Sequence, residues 1–175
     1  MRHLQKAQIC PWWKDHQEKR YASMDMQSLR GGTMTFMLTF TVEGDPHGKG
    51  RPRFRSTGKF VQTYTDSKTK SYEEKVRDAA KQAMGESEPL ETPVSVFCYI
   101  RLPVPKSYPK SRREACLSGF ERPSKKPDTD NVFKSVSDAM NGIVYKDDCQ
   151  IVSINAKKVY SAVAGVDVMV REEIE

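Results

Sequence analysis

One short segment of the chain, residues 126–142, restricts the possible folds more than any other. It reads KPDTDNVFKSVSDAMNG. Pro127 disfavours helix at Lys126, Asp130 or Asn131 can cap a helix that follows, and Asn-Gly at the far end supplies a stop. At about 100° per residue, one face of that helix is apolar and should pack on a sheet. Its members are Val132, Val136, Ala139, Met140 and Ile143.

A second face of the same helix is charged. Asp130, Lys134 and Asp138 are spaced i, i+4, i+8. Asp128 and Asp130 flank Thr129, so in an extended entry to the helix both carboxylates point the same way. Two ionised carboxylates this close repel each other unless a cation lies between them, and a hard cation with oxygen ligands suits them best. The pattern therefore predicts a site for Mg²⁺, with Mn²⁺ as a possible substitute.

A third source of carboxylates follows the helix after a short connection. Asp147 and Asp148 precede the strand-like run Gln150-Ile151-Val152. If that strand runs back past the helix, a carboxylate from this pair completes the metal site.

Each acidic residue also has an ordinary explanation. Asp130 alone is more often a helix cap than a ligand, Lys134 and Asp138 alone form a surface ion pair, and Asp147-Asp148 alone is turn chemistry. An EF-hand is excluded, because Phe133 stands where the loop needs glycine and Ala139 where it needs glutamate. The Asp-x-Asp of nucleotide-sugar transferases lacks its surrounding α/β alternation here. The metal-site prediction therefore depends on the combined spacing of these acidic residues and the lysine, and on no single one of them.

That joint spacing resembles a known family. Lys-Pro-Asp-x-Asp-Asn-x-x-Lys, then Asp-Ala-Met-Asn-Gly, then Asp-Asp-x-Gln-Ile look like the signature of the RusA crossover junction endodeoxyribonucleases. The similarity is dense over residues 126–151 and looser over 34–175. Residues 50–54 (GRPRF) resemble the basic N-terminal motif of the phage and prophage members.

The resemblance implies roles for individual residues. Asp128, Asp130 and Asp148 would bind magnesium, and Lys134 would be the essential lysine of the cleavage step. Asp138 and Asp147 match acidic positions near the site, with supporting roles. It also implies a mixed α/β homodimer that nicks opposed strands of a four-way (Holliday) junction in recombination and repair. Two other functions stay open: a nuclease for other branched DNA such as flaps and forks, and a junction-binding protein that does not cut.

The charge distribution agrees with a polyanionic partner. The net charge is +6, and two basic stretches border the acidic segment. The residues predicted to contact DNA phosphates are Arg51, Arg53, Arg55, Lys125 and Lys126. Four scattered cysteines and three histidines show neither a disulfide framework nor zinc-like spacing.

We expect one domain over residues 34–175, preceded by a poorly ordered extension over residues 1–33. The extension contains Trp12 and Trp13; it is interpreted as a start codon assigned too early or as a partner-binding arm.

The predicted fold is α+β, a mixed sheet of about five strands packed with two main helices. Strands are expected near 34–43, 93–102, 150–159 and 165–170, the last two as a terminal hairpin, with another hairpin over 51–64 and a helix over 67–84. No apolar run spans a bilayer, so we expect a soluble protein of the bacterial or phage-infected cytoplasm, associated with the nucleoid.

Overall fold

The computed structural model describes residues 36–50, 53–57, 60–64 and 66–173, with the backbone alone over 53–57 and 60–64. The predicted extension over residues 1–33 lies outside the described residues. The strands are β1 (Met37–Glu43), β2 (Arg53–Thr57), β3 (Phe60–Tyr64), β4 (Val94–Pro103), β5 (Ile151–Ser161) and β6 (Gly165–Glu172). The helices are α1 (Ser67–Met84), α2 (Lys110–Leu117) and α3 (Thr129–Met140), and a 3₁₀ turn spans Asp148–Gln150.

Four of the strands form one mixed sheet in the order β1-β6-β4-β5. Strands β4 and β5 are parallel, and the other neighbours are antiparallel. The predicted α+β class is therefore confirmed, with four strands in the main sheet rather than about five. Strands β2 and β3 form a separate antiparallel pair at the predicted hairpin.

The predicted terminal hairpin of β5 and β6 is wrong. The two strands are consecutive in the chain, yet β4 lies between them and pairs with both. Alternate residues of β4 are fully buried, from Val94 through Val96 to Ile100. The most apolar strand takes an interior position with neighbours on both edges, and this preference overrides the proximity of β5 and β6 in sequence.

The helices bury their predicted faces. Helix α1 has the predicted bounds and ends at Gly85, whose φ of +58° is left-handed and whose amide donates to the Lys81 carbonyl at 2.9 Å. Tyr72, Val76 and Ala80 of α1 are buried. Helix α1 packs against β1 and α3, and α3 packs against β4 and β5. The acid-bearing helix is thus fixed to the sheet by its apolar side, and its charged side faces outward.

Within the described ranges, no helix combines the length and the apolar character needed to cross a bilayer.

Candidate active site

Helix α3 presents the predicted charged face. Val132, Val136, Ala139 and Met140 are buried in the core, whereas Asp130 and Lys134 are exposed. The helix begins at Thr129, so Asp128 is the N-cap residue with extended backbone (φ −74°, ψ 140°). The prediction that Asp130 or Asn131 caps the helix is wrong, because both lie inside its first turn. The first two predicted ligands therefore sit on either side of the helix start, where the helix dipole favours negative charge.

Neither of these carboxylates makes a capping hydrogen bond or an ion pair among the described residues. Asp128 makes no capping hydrogen bond to the backbone, and its closest polar contact is the Asn131 amide at 3.4 Å. Among the residues that the structure describes, Asp128 and Asp130 form no ion pair within 4.0 Å, and neither does Lys134. Exposed carboxylates at a helix N-terminus, with no ion-pair partner in the described ranges, are available to a cation or another ligand.

The approach to Asp128 is held by a lysine that sequence reasoning missed. Lys158, on strand β5, donates to the carbonyls of Lys125 and Pro127 at 2.8 and 2.9 Å. Bonds from an ammonium group are stronger than neutral ones. Strand β5 thereby fixes the residues immediately before Asp128. No local pattern marks Lys158, because the contact joins residues more than thirty positions apart.

Asp138 has a structural role. Its carboxylate forms an ion pair and hydrogen bond with Lys49, which also lies 3.8 Å from Glu73 on α1. The Lys49 amide donates to the Asn131 carbonyl at 2.9 Å. A Cβ at Gly48 would meet the Asn131 Cβ at 3.0 Å, so glycine allows this close approach. The ordinary Lys134–Asp138 pair is therefore replaced by a longer-range pair that leaves Lys134 exposed.

The second acidic pair lies on the 3₁₀ turn. Asp147 caps it by accepting from the Cys149 amide at 2.9 Å, and this hydrogen bond lowers the pKa of Asp147. The Gln150 side chain completes a capping box by accepting from the Asp147 amide at 2.9 Å. Its amide nitrogen donates to the carbonyls of Leu90 and Thr92 at 3.0 and 2.9 Å. Gln150 therefore fixes the turn to the segment before β4.

Asp148, exposed like Asp147, does not cap the turn. Burial, and then the charge of Asp148, raise the pKa of Tyr145. The Tyr145 hydroxyl donates to the Ser137 carbonyl of α3 at 2.9 Å. Asp148 thus lies within electrostatic reach of a side chain bonded to α3. Asp147 caps the turn, and the assignment of Asp148 as ligand and Asp147 as supporting residue stays a prediction.

The predicted Mg²⁺ ligands can be compared with the carboxylate groups of the structure. In the part of the chain that the structure describes, no three His, Cys, Asp or Glu side chains converge closely enough to hold an ion by themselves. Asp128, Asp130 and Asp148 nevertheless offer exposed carboxylate oxygens, the donors that Mg²⁺ prefers. Magnesium usually keeps several waters and takes one or two carboxylates together with substrate phosphate. These carboxylates are donors of the chemical type that Mg²⁺ takes, and the magnesium site itself stays a prediction.

Two of the five predicted DNA contacts can be placed. Lys125 and Lys126 are exposed and stand directly before Asp128. Arg51 lies outside the described residues. Arg53 and Arg55 lie on strand β2, and their side chains are also outside the described part. The two lysines that can be placed therefore lie in the loop before α3, immediately before Asp128 in the chain.

Comparison with known proteins adds two findings. A family model described as endodeoxyribonuclease RusA matches residues 43–171. The chain is also 38% identical over 137 residues to an uncharacterised protein, YqaN, of Bacillus subtilis strain 168. That alignment covers 77% of this chain and 96% of the Bacillus protein. The family-model match contains the acidic helix, the 3₁₀ turn and strands β4 and β5.

Proposed function

The chain belongs to the RusA family of endodeoxyribonucleases, and from this premise we propose that it is a Mg²⁺-dependent resolvase of four-way DNA junctions that acts as a homodimer. The observation that supports the proposal best is the exposed face of α3, where Asp128, Asp130 and Lys134 make no ion pair within the described ranges. A face that stabilised the fold would pair these charges, as Lys49 pairs Asp138.

The carboxylates define where the metal would bind. Asp128, Asp130 and Asp148 would hold Mg²⁺ together with oxygens of the scissile phosphate. When bound, Mg²⁺ supplies an activated water at neutral pH and neutralises charge on the reacting phosphate. Lys158 and Gln150 keep the two halves of this set in place through their bonds to backbone carbonyls.

The lysines near the carboxylates would contact the phosphates of the DNA. Lys134 is one helical turn from Asp130, so its ammonium group can stabilise negative charge that develops on the phosphate during cleavage. Lys125 and Lys126 can hold the neighbouring backbone, which makes binding depend steeply on salt. Two copies of the chain would present two such sites, as paired nicks across a junction require.

One assay separates the candidate functions. Purified protein is incubated with a labelled four-way junction, a flap and a linear duplex, each with Mg²⁺, with Mn²⁺ and without metal. Paired symmetric nicks on the junction alone are the expected result. Preferred cutting of the flap would replace the resolvase by a nuclease for other branched DNA. Binding without cleavage in either metal would contradict the enzymatic proposal.

A further inference from the structure

The turn after α2 carries an aromatic ring that is almost fully exposed in the described part of the chain. Phe120 is 92% exposed, more than any other large apolar side chain in the described ranges. Single apolar side chains on a surface are common and need no special explanation. Any role for Phe120 must therefore rest on how the turn is held and on what surrounds it.

The backbone of this turn is tied to helix α2. Ser118 donates to the Glu114 carbonyl at 2.9 Å, and Gly119 donates to the Cys116 carbonyl at 3.2 Å. Gly119 has a φ of +80°, which favours glycine at this position. Beyond Phe120, the Glu121 amide returns to the Ala115 carbonyl at 3.0 Å. Hydrogen bonds therefore fix the backbone on both sides of the exposed ring.

A side-chain brace holds the same turn. The Arg112 guanidinium makes hydrogen bonds of 2.7 to 3.1 Å to both carboxylate oxygens of Glu121. The same guanidinium lies 3.8 Å from the centroid of the Tyr108 ring. A planar two-point contact of this kind fixes geometry as well as adding energy. Phe120 therefore lies exposed on a turn whose backbone and side chains are held by hydrogen bonds.

The surroundings of the ring are basic. Between residues 106 and 126 of the chain, the exposed cations outnumber the carboxylates, which are Glu114 and the Arg112-paired Glu121. These cations are Lys106, Lys110, Arg113, Arg122, Lys125 and Lys126. Such a surface attracts a phosphate backbone. It is a poor surface for a basic or purely apolar protein partner.

The turn is connected to the strand that also holds the segment before Asp128. Tyr108 is close to Tyr160 on β5, and burial followed by this contact raises the pKa of Tyr160 to about 12. Lys158, which holds the approach to Asp128, is two residues earlier on the same face of that strand. Positions two apart on a strand are separated by roughly 7 Å. The support of Phe120 and the support of Asp128 are therefore adjacent anchor points on one strand.

We infer that Phe120 stacks on an exposed base at the branch of the DNA substrate while the surrounding cations hold the phosphates. The inference rests on the proposed function, because the branch point of a junction interrupts base stacking, whereas an intact linear duplex does not. Aromatic rings stack on any base, and apolar side chains wedge between base steps in distorted DNA. Phe120 would thereby help distinguish a junction from a linear duplex.

The test compares four full-length proteins: the wild type, Phe120→Ala, Phe120→Trp and Leu117→Ala. Leu117 is a neighbouring apolar residue that is 52% exposed, so its variant is the matched control. Affinity for a four-way junction and for a linear duplex is measured without Mg²⁺ over a range of salt concentrations. Oligomeric state is measured by analytical ultracentrifugation.

We expect Phe120→Ala to weaken junction binding about tenfold, as for the loss of one base-stacking ring, with duplex affinity unchanged. The salt dependence should keep its slope, because no phosphate contact is removed. Phe120→Trp should bind the junction like the wild type, and so should Leu117→Ala.

Three results would overturn the inference. The first is equal junction affinity for the wild type and Phe120→Ala, and the second is an equal loss on junction and duplex. The third is a change of oligomeric state in Phe120→Ala, which would assign the ring to a subunit contact. Failure of the wild type to cut any branched DNA would refute the proposed function, and the inference with it; that result is visible without any variant.

Discussion

The ammonium group of Lys158 lies 2.9 Å from the carbonyl oxygen of Pro127, across the gap between strand β5 and the start of helix α3. A second bond to Lys125 makes this lysine a two-point clamp on the segment that leads to Asp128. The position of the first two carboxylates therefore depends on a residue that faces them from the sheet.

Removing this clamp should impair cleavage more than folding. We expect Lys158→Met to lower the free energy of unfolding by about 1.5–3 kcal/mol, the scale of hydrogen bonds to a charged group. Cleavage should require more Mg²⁺ than in the wild type, because Asp128 is no longer held in position. Lys157→Met is the control, since Lys157 points to the opposite face of the same strand, near Tyr99. Identical Mg²⁺ titrations for the two variants would contradict this role.

Gln150 is expected to play the corresponding part for Asp148. Gln150→Leu keeps the size of the side chain but removes its bonds to the Asp147 amide and to the carbonyls of Leu90 and Thr92. We predict a loss of about 1–3 kcal/mol in chemical denaturation and a higher Mg²⁺ requirement. Lys146→Met removes only the exposed pair with Glu91 and should behave like the wild type. Wild-type stability of Gln150→Leu would show that the capping box does not stabilise the fold.

Lys49 and Asp138 should be coupled energetically and not catalytically. Their side chains are about one-third and one-quarter exposed, so a double-mutant cycle with Lys49→Met and Asp138→Asn should give roughly 0.5–1 kcal/mol. Because Asp138 is bound to Lys49, we expect Asp138→Asn to retain cleavage at a temperature where it is folded. Lys134→Met should show the reverse: unchanged stability and loss of cleavage. Abolished cleavage in folded Asp138→Asn would place Asp138 in the reaction.

The lowered pKa of Asp147 predicts a pH dependence of stability. Because the Cys149 amide stabilises the ionised form, the contribution of Asp147 is present above its unfolded-state pKa of about 3.9 and is lost as pH falls through the folded-state pKa. The stability difference between the wild type and Asp147→Asn should therefore shrink on acidification below about pH 4. Denaturation curves at several pH values measure it. A difference that grows towards acid would have the wrong sign.

Local pattern was sufficient for much of this fold. Helix α1 was predicted with its observed bounds, because its alanine-rich face and terminal Gly85 are short-range signals. The buried and charged faces of α3 were predicted for the same reason. The order of strands was not, because the insertion of β4 between β5 and β6 depends on which strand most needs two neighbours. The sequence around each strand does not indicate which strand takes the interior position of the sheet.

The same limit applies to the site. The spacing of Asp128, Asp130, Lys134 and Asp148 was readable in the sequence, and their assignment as ligands and catalytic lysine remains a prediction. The role of Lys158 could not be predicted from the sequence, because it depends on how β5 passes the loop before α3. Gln150 was visible only as one letter of a family signature, and its contacts to Leu90 and Thr92 explain why a glutamine suits that position.

The most direct test of the proposed nuclease is single-turnover cleavage of a labelled four-way junction by the wild type and Asp130→Asn, in Mg²⁺, with junction affinity measured in parallel. The substitution removes one negative charge from an exposed side chain without an ion pair in the described ranges, so the fold should be unaffected. We predict paired nicks by the wild type, and for Asp130→Asn undiminished binding with no cleavage. Cleavage by Asp130→Asn at the wild-type rate would contradict the assignment of this face as the active site.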